Sequence, residues 1–147
     1  NLVGIQPACD IKGAMWNTKK FAQLADFFIT NTNSEIIIFQ GRKEEKIASR
    51  MKRYMKQKAK LLPRLVLRQY LAILSMCDLF VANEGGQLHM SVALGVPTVG
   101  IFGPGYSDYW FYYKSGFKKI LARNISSLAV EKVIKEIETF AQIRSPD

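Results

Sequence analysis

Residues 83–105 read NEGGQLHMSVALGVPTVGIFGPG. The apolar run Leu79–Ala82 just before them has the composition of a strand buried on both faces. Gly85-Gly86 breaks that run, Gln87–Leu94 reads as a helix, and Thr98–Phe102 is a second strand stopped by Gly103-Pro104-Gly105. Strand, glycine turn, helix and strand in that order build a parallel sheet. The only histidine of the chain, His89, falls just behind the glycines, where the helix begins.

The alternation continues outward from this stretch. Leu2–Ile5 is a first strand, and Asn17–Thr18 can cap a helix with Phe21, Leu24, Ala25, Phe28 and Ile29 on its apolar stripe. Asn31–Ser34 breaks that helix, and Glu35–Phe39 is a β-branched strand. Glu45–Lys58 is expected to be helical, with Ile47, Met51, Tyr54 and Met55 inward. A third strand is expected near Leu61–Leu65, before a short helix over Leu67–Met76. Lys119–Ala122 gives one more strand. Ser126 or Ser127 then caps a last helix that turns Val130, Val133, Ile134, Ile137 and Ala141 to the core. The expected fold is α/β: a Rossmann-like parallel sheet of about six strands with helices on both faces.

At 147 residues the chain suits one domain, spanning 1–147, with a core of its own. No apolar run approaches the roughly 20 residues that cross a bilayer, and no signal peptide is expected. Cys9 and Cys77 lie far apart without a CxxC pattern; this fits a reduced, cytoplasmic setting and leaves a single disulfide open. The chain opens on Asn1 and runs at once into a strand, as expected of a piece of a longer polypeptide. Net charge is +9, and its distribution is uneven. Eleven basic and two acidic residues lie between Arg42 and Arg68, so this window carries the whole imbalance.

In a sheet of this kind ligands bind beyond the carboxyl ends of the strands. The loops there are 6–19, 40–44, 83–87 and 103–110, and they hold Lys19, Glu44, Asn83, Glu84, Gly85 and Gly86. Glycines between strand and helix let the backbone approach a ligand closely. The amides of the helix's first turn then face it, with the positive end of the dipole behind them. His89 adds a donor and Lys19 a full charge, a combination suited to a diphosphate. Ser91, Ala93 and Gly95 are small enough for close helix–sheet packing. Each residue also has a structural reading: His89 as a helix-end hydrogen-bonding group, Gly85-Gly86 as a tight turn, Lys19 and Glu44 as solvated charges. Other sites are excluded. There is no GKS/T phosphate loop, no G-x-G-x-x-G after the first strand, and one histidine with two distant cysteines makes no zinc site.

Asn83-Glu84-Gly85-Gly86-Gln87-Leu88-His89, continuing through Ala93-Leu94-Gly95-Val96-Pro97-Thr98 to Ile101-Phe102-Gly103-Pro104, resembles the family-9 glycosyltransferases. These are the heptosyltransferases of lipopolysaccharide core synthesis, with the pattern N-D-S/T-G-P-M/L-H, then A-L-G-V-P-T, then F-G-P. Val3-Gly4-Ile5-Gln6-Pro7 and Trp16-Asn17-Thr18-Lys19-Lys20-Phe21 are similar to the family's V-G-I-H-P and W-P-T-K-R-W, and Gln40-Gly41 with Glu44 to its G-G-x-x-E. The resemblance implies the C-terminal, donor-binding half of a two-domain GT-B enzyme, the N-terminal acceptor domain being absent from this chain. It implies transfer of a heptose from ADP-heptose to a lipopolysaccharide core acceptor, with inversion, without a metal and without a cofactor. Carried onto matching positions, Lys19, Gly85, Gly86 and His89 would bind the donor diphosphate and Glu44 the ribose. Asn83 and Glu84 would lie on the sugar side. No catalytic residue is expected in this chain, because the family's base belongs to the other domain.

The chain departs from the pattern at Gln6, Glu84, Gly85 and Gln87, where the family has His, Asp, Ser or Thr, and Pro. The expected location is cytoplasmic, with the 42–68 basic segment placed to touch an anionic inner membrane. Two other readings stand beside this one. The same fold could serve another nucleotide sugar, in a transferase or an epimerase. Alternatively the chain is a non-enzymatic nucleotide- or nucleic-acid-binding module, although its basic segment lacks the interleaved aromatics of nucleic-acid binders and no nucleic acid is expected.

Overall fold

Six strands form one sheet in the order β3-β2-β1-β4-β5-β6, every neighbouring pair parallel. The strands are β1 (Leu2–Gln6), β2 (Glu35–Ile38), β3 (Lys60–Leu61), β4 (Leu79–Asn83), β5 (Thr98–Phe102) and β6 (Phe117–Leu121). The helices are α1 (Thr18–Thr32), α2 (Glu45–Tyr54), α3 (Leu67–Leu74), α4 (Gly86–Ala93) and α5 (Val130–Arg144). The computed structural model describes residues 1–11, 13–105 and 115–144, and the side chains to 141. The expected loop 103–110 therefore lies outside the described residues from 106 onward.

The order of strands reverses between β1 and β4, which pair with Gln6 opposite Ala82. In doubly wound sheets this reversal opens a crevice at the carboxyl ends, because the loops leave in opposite directions. Helices cover both faces, as expected. On one face α1, α2 and α5 pack Phe21, Leu24, Met51 and Val133 against Ile5, Ile38, Val81 and Ile101. On the other, Tyr70 and Leu74 of α3 and Leu88 of α4 meet Phe39, Phe80 and Phe102. Trp16, fully buried, meets Phe21 edge-on at 4.9 Å and ties the β1–α1 loop to the first core.

Several boundaries differ from expectation, each for a tertiary reason. α2 stops at Tyr54 rather than Lys58, because the Asp26 carboxylate of α1 accepts from the Lys56 and Gln57 amides and draws the chain out of the helix. Tyr54 is consequently exposed, and the buried positions of α2 are Ala48 and Met51. β3 lies at Lys60–Leu61, set by pairing with Ile37 and Ile38, so most of the expected 61–65 segment follows it. α5 begins at Val130. Ser126 and Ser127 belong to a preceding 3-10 turn capped by Asn124, whose Oδ1 accepts from the Ser126 amide at 3.0 Å. Ala141, expected inward, is exposed. Of the three small residues after His89, only Ser91 is buried against the sheet. Gly95 instead ends α4 with φ +75°, where Val96 N–H closes back on Ser91 O at 3.0 Å.

Candidate functional site

β4 delivers Asn83 to the sheet's carboxyl edge, and Gly85 carries the chain in extended backbone to the first residue of α4, the exposed Gly86. Gly85 at its N-cap offers no side chain to cap this helix. The contrast with α1 is direct: there Asn17 Oδ1 accepts from Lys19 N–H at 2.8 Å. Uncapped amides at a helix start carry the positive end of the peptide dipoles and are suited to an anion. The helix is held firmly behind them, since buried Thr98 donates to Ser91 Oγ at 2.8 Å and Ser91 to Leu88 O at 2.9 Å.

The expected site residues fall on this rim, with different local roles. His89 lies half-buried in the first turn of α4. Lys19 is exposed in the first turn of α1, and its ammonium sits 5.3 Å from the Tyr54 ring centre. A cation–π contact at such an exposed place is worth about 0.5–1 kcal/mol, so a stronger anionic partner can draw the side chain away. Glu84 is half-buried and desolvation raises its carboxyl above the usual range. Asn83 is fully buried and its amide is occupied: Nδ2 donates to Pro7 O at 2.7 Å and Oδ1 accepts from Trp16 N–H at 2.9 Å. It staples the β1–α1 loop to the end of β4.

Glu44, just before α2, is held most closely. Its Oε2 accepts from Gln6 Nε2 at 2.9 Å and from Gly41 N–H at 2.6 Å. Gly41 leaves room for this, since a Cβ there would stand 3.0 Å from Oε2. Burial raises the Glu44 carboxyl, the Gly41 hydrogen bond opposes that, and the charge of Asp10 adds to it. Gln6 and Gly41 both line a cavity of about 620 Å³, whose walls include Arg42, Arg64, Tyr70 and Gly86. The sequence reading missed this cavity. Arg42 and Arg64 were visible only as members of the basic window, and Gln6 only as a departure from a pattern. A smaller, mostly apolar cavity of about 320 Å³ lies at the opposite edge, among residues that precede the strands such as Ser34, Asp78 and Pro97, and touches none of the expected site residues.

A family model described as glycosyltransferase family 9 (heptosyltransferase) matches residues 1–136. The chain belongs to that family. A lipooligosaccharide heptosyltransferase 2 of Campylobacter jejuni subsp. jejuni serotype O:6 is 28% identical over 109 residues, 70% of this chain and 34% of that protein. A glycosyl transferase family 9 structure from Veillonella parvula DSM 2008 shares the fold with TM-score 0.88 at 20% identity, over 96% of this chain and 46% of its own. The E. coli ADP-heptose lps heptosyltransferase II does so with TM-score 0.87 at 18% identity, over 98% and 47%. The chain thus spans about a third of the curated relatives' length and just under half of these structures.

Within family 9 the departures at Gly85, Gln87 and Gln6 have local counterparts in the structure. The Gln87 side chain folds back over Gly85 and donates to Asn83 O at 3.1 Å, while Gln87 Oε1 lies 2.3 Å from where a Cβ on residue 85 would stand. The amide of residue 87 fills the space that the family's Ser or Thr would need. Gln6, in the place of the family's His, supplies both a donor and an acceptor, as a neutral imidazole does. Cys9 approaches the same loop, with its thiol 3.2 Å from Glu84 O, and burial raises its pKa.

Proposed function

We propose that this chain is the donor-binding domain of a glycosyltransferase that takes its sugar from an ADP-sugar, ADP-heptose in this reading. A companion acceptor domain would complete the enzyme and present a lipopolysaccharide core hydroxyl. One observation carries the reading. The start of α4 at Gly86 and Gln87 lines one cavity at the β1/β4 reversal together with Gln6 and Gly41, the two residues that hold the Glu44 carboxylate. The diphosphate lies against the Gly85 and Gly86 backbone, with His89 donating to it and Lys19 leaving Tyr54 to meet its charge. Glu44 accepts from the ribose hydroxyls, a carboxylate having acceptor sites for both. The base occupies the cavity, whose volume is within the usual range of small-molecule pockets, about 300–1,000 Å³. Glu84 faces the sugar, and Asn83 acts through the β1–α1 loop it staples.

In the intact enzyme a base on the companion domain removes the acceptor hydroxyl's proton as its oxygen attacks the anomeric carbon. The bond from that carbon to the diphosphate breaks on the opposite side, so configuration inverts and ADP departs. The negative charge that develops on ADP is met by the helix end, His89 and Lys19, which removes the need for a metal. The chain alone binds nucleotide and transfers nothing.

Calorimetric titration with ADP, UDP, GDP and dTDP tests the assignment. ADP binds most tightly, and His89→Ala and Lys19→Ala each weaken it by about tenfold, the loss of one charge-assisted contact. Unchanged affinity for every nucleotide in both variants would falsify the site.

The basic segment extends the proposal. Lys46, Arg50 and Arg53 line one shallow groove on the exposed side of α2. Lys and Arg near an anionic bilayer contribute about 1 kcal/mol each, which suits an enzyme whose acceptor is a phosphorylated lipid. Sedimentation with anionic vesicles, and not with neutral ones, is the expected result; equal binding to both removes the membrane role.

A further inference from the structure

Two polar side chains from two elements are linked in line to a single carboxylate at the site's edge. Tyr70, on α3, donates from its hydroxyl to Gln6 Oε1, and Gln6, ending β1, donates from Nε2 to Glu44 Oε2. The link crosses over the sheet's carboxyl edge, since α3 lies on one face and α2, which Glu44 precedes, on the other. Gln6 is 4% exposed and Tyr70 8%. Polar groups this deeply buried cost stability unless bonded, and apolar side chains would fill the same space at no such cost.

The direction of each bond is fixed. Burial, with the charge of Glu44 adding to it, raises the Tyr70 hydroxyl far above its ordinary pKa, so it stays protonated and donates. Gln6 must therefore present its oxygen to Tyr70 and its amide hydrogens to Glu44. The Tyr70 ring is itself held edge-on by Phe39, with centroids 5.0 Å apart. Among the described residues both donors to Glu44 fall on Oε2, so Oε1 faces no competing protein donor.

We propose that Gln6 and Tyr70 are positioning residues that lock the Glu44 carboxylate in its ribose-accepting orientation and thereby set selectivity for nucleotides with both ribose hydroxyls. The inference rests on the assignment of Glu44 to the ribose. Freezing a long acidic side chain before the ligand arrives removes an ordering cost from binding.

The test is calorimetric titration of the chain with ADP and with 2′,3′-dideoxy-ADP, for the wild type, Gln6→Ala, Gln6→His and Tyr70→Phe. Circular dichroism melting first establishes that each variant is folded. The wild type prefers ADP by roughly tenfold, the effect of one or two hydrogen bonds to a charged acceptor. Gln6→Ala lowers that preference to about threefold or less by weakening ADP alone, and Tyr70→Phe lowers it part-way. Gln6→His retains it, because an imidazole can accept from Tyr70 and donate to Glu44. If Gln6→Ala does not fold, Tyr70→Phe, which loses a single oxygen, decides. Equal weakening of both nucleotides, or a preference intact in every variant, overturns the relay while leaving Glu44 on the ribose. A wild type without any preference overturns the Glu44 assignment and the relay with it.

Discussion

Gly85 and Gln87 occupy shared space, and the consequence is testable at single residues. Gly85→Ser would place a Cβ 2.3 Å from Gln87 Oε1 and displace a side chain that is buried and bonded to Asn83 O. Alone it should cost about 1 kcal/mol, roughly one hydrogen bond. Joined with Gln87→Pro, which restores the family's pairing, it should cost less than the sum of the two single changes by about 1 kcal/mol in urea denaturation. Strict additivity would show that the two departures are independent. Glu44 gives a second prediction. Its carboxyl is raised by burial above its unfolded value, so the ionised form destabilises the fold. That contribution is most favourable at acid pH, below the unfolded pKa, and is lost as pH rises through the folded pKa. Glu44→Gln should therefore melt higher than the wild type at pH 7, with the gap closing by pH 4, while ADP binding weakens. A lower melting temperature at pH 7 would mean that the hydrogen bonds from Gln6 and Gly41 outweigh burial.

Among the elements, Asn83 joins the two loops of the β1/β4 reversal through Pro7 and Trp16. Asn83→Ala should cost about 2–4 kcal/mol in denaturation, since it leaves a buried carbonyl and a buried amide without partners. A cost below about 1 kcal/mol would mean that water replaces the staple. The elements differ in how far the sequence revealed them. β1, β2, β4 and β5 are short apolar runs between strong breakers, and α1 and α5 carry long 3.6-residue stripes, so local pattern located them. The end of α2 and the place of β3 were not legible. Asp26 of α1 halts the first and pairing with Ile37 and Ile38 sets the second, and both are contacts across the chain. Local pattern likewise gave no sign that Asn83, expected on the sugar side, turns inward to hold the β1–α1 loop.

For the whole molecule, the parallel sheet and its two helical layers followed from strands apolar throughout. The candidate site was sought where the loops of such a sheet must emerge. What single-chain pattern could not supply was the polar wiring of that edge. Gln6, Glu44 and Tyr70 are 38 and 64 residues apart along the pairs that bond, and the cavity that Gln6 and Tyr70 border is assembled from six separate segments of chain. The charge of the 42–68 window was legible, whereas the placement of Arg42 and Arg64 at the cavity needed the fold.

The central claim is that a diphosphate rests on the first amides of α4. Titrating the isotopically labelled chain with ADP and following backbone amide resonances tests it most directly. The account predicts that Gly86 and Gln87 shift most and that His89→Ala diminishes those shifts. Shifts confined to residues of the apolar cavity at the opposite sheet edge, with Gly86 and Gln87 unmoved at saturation, would contradict it.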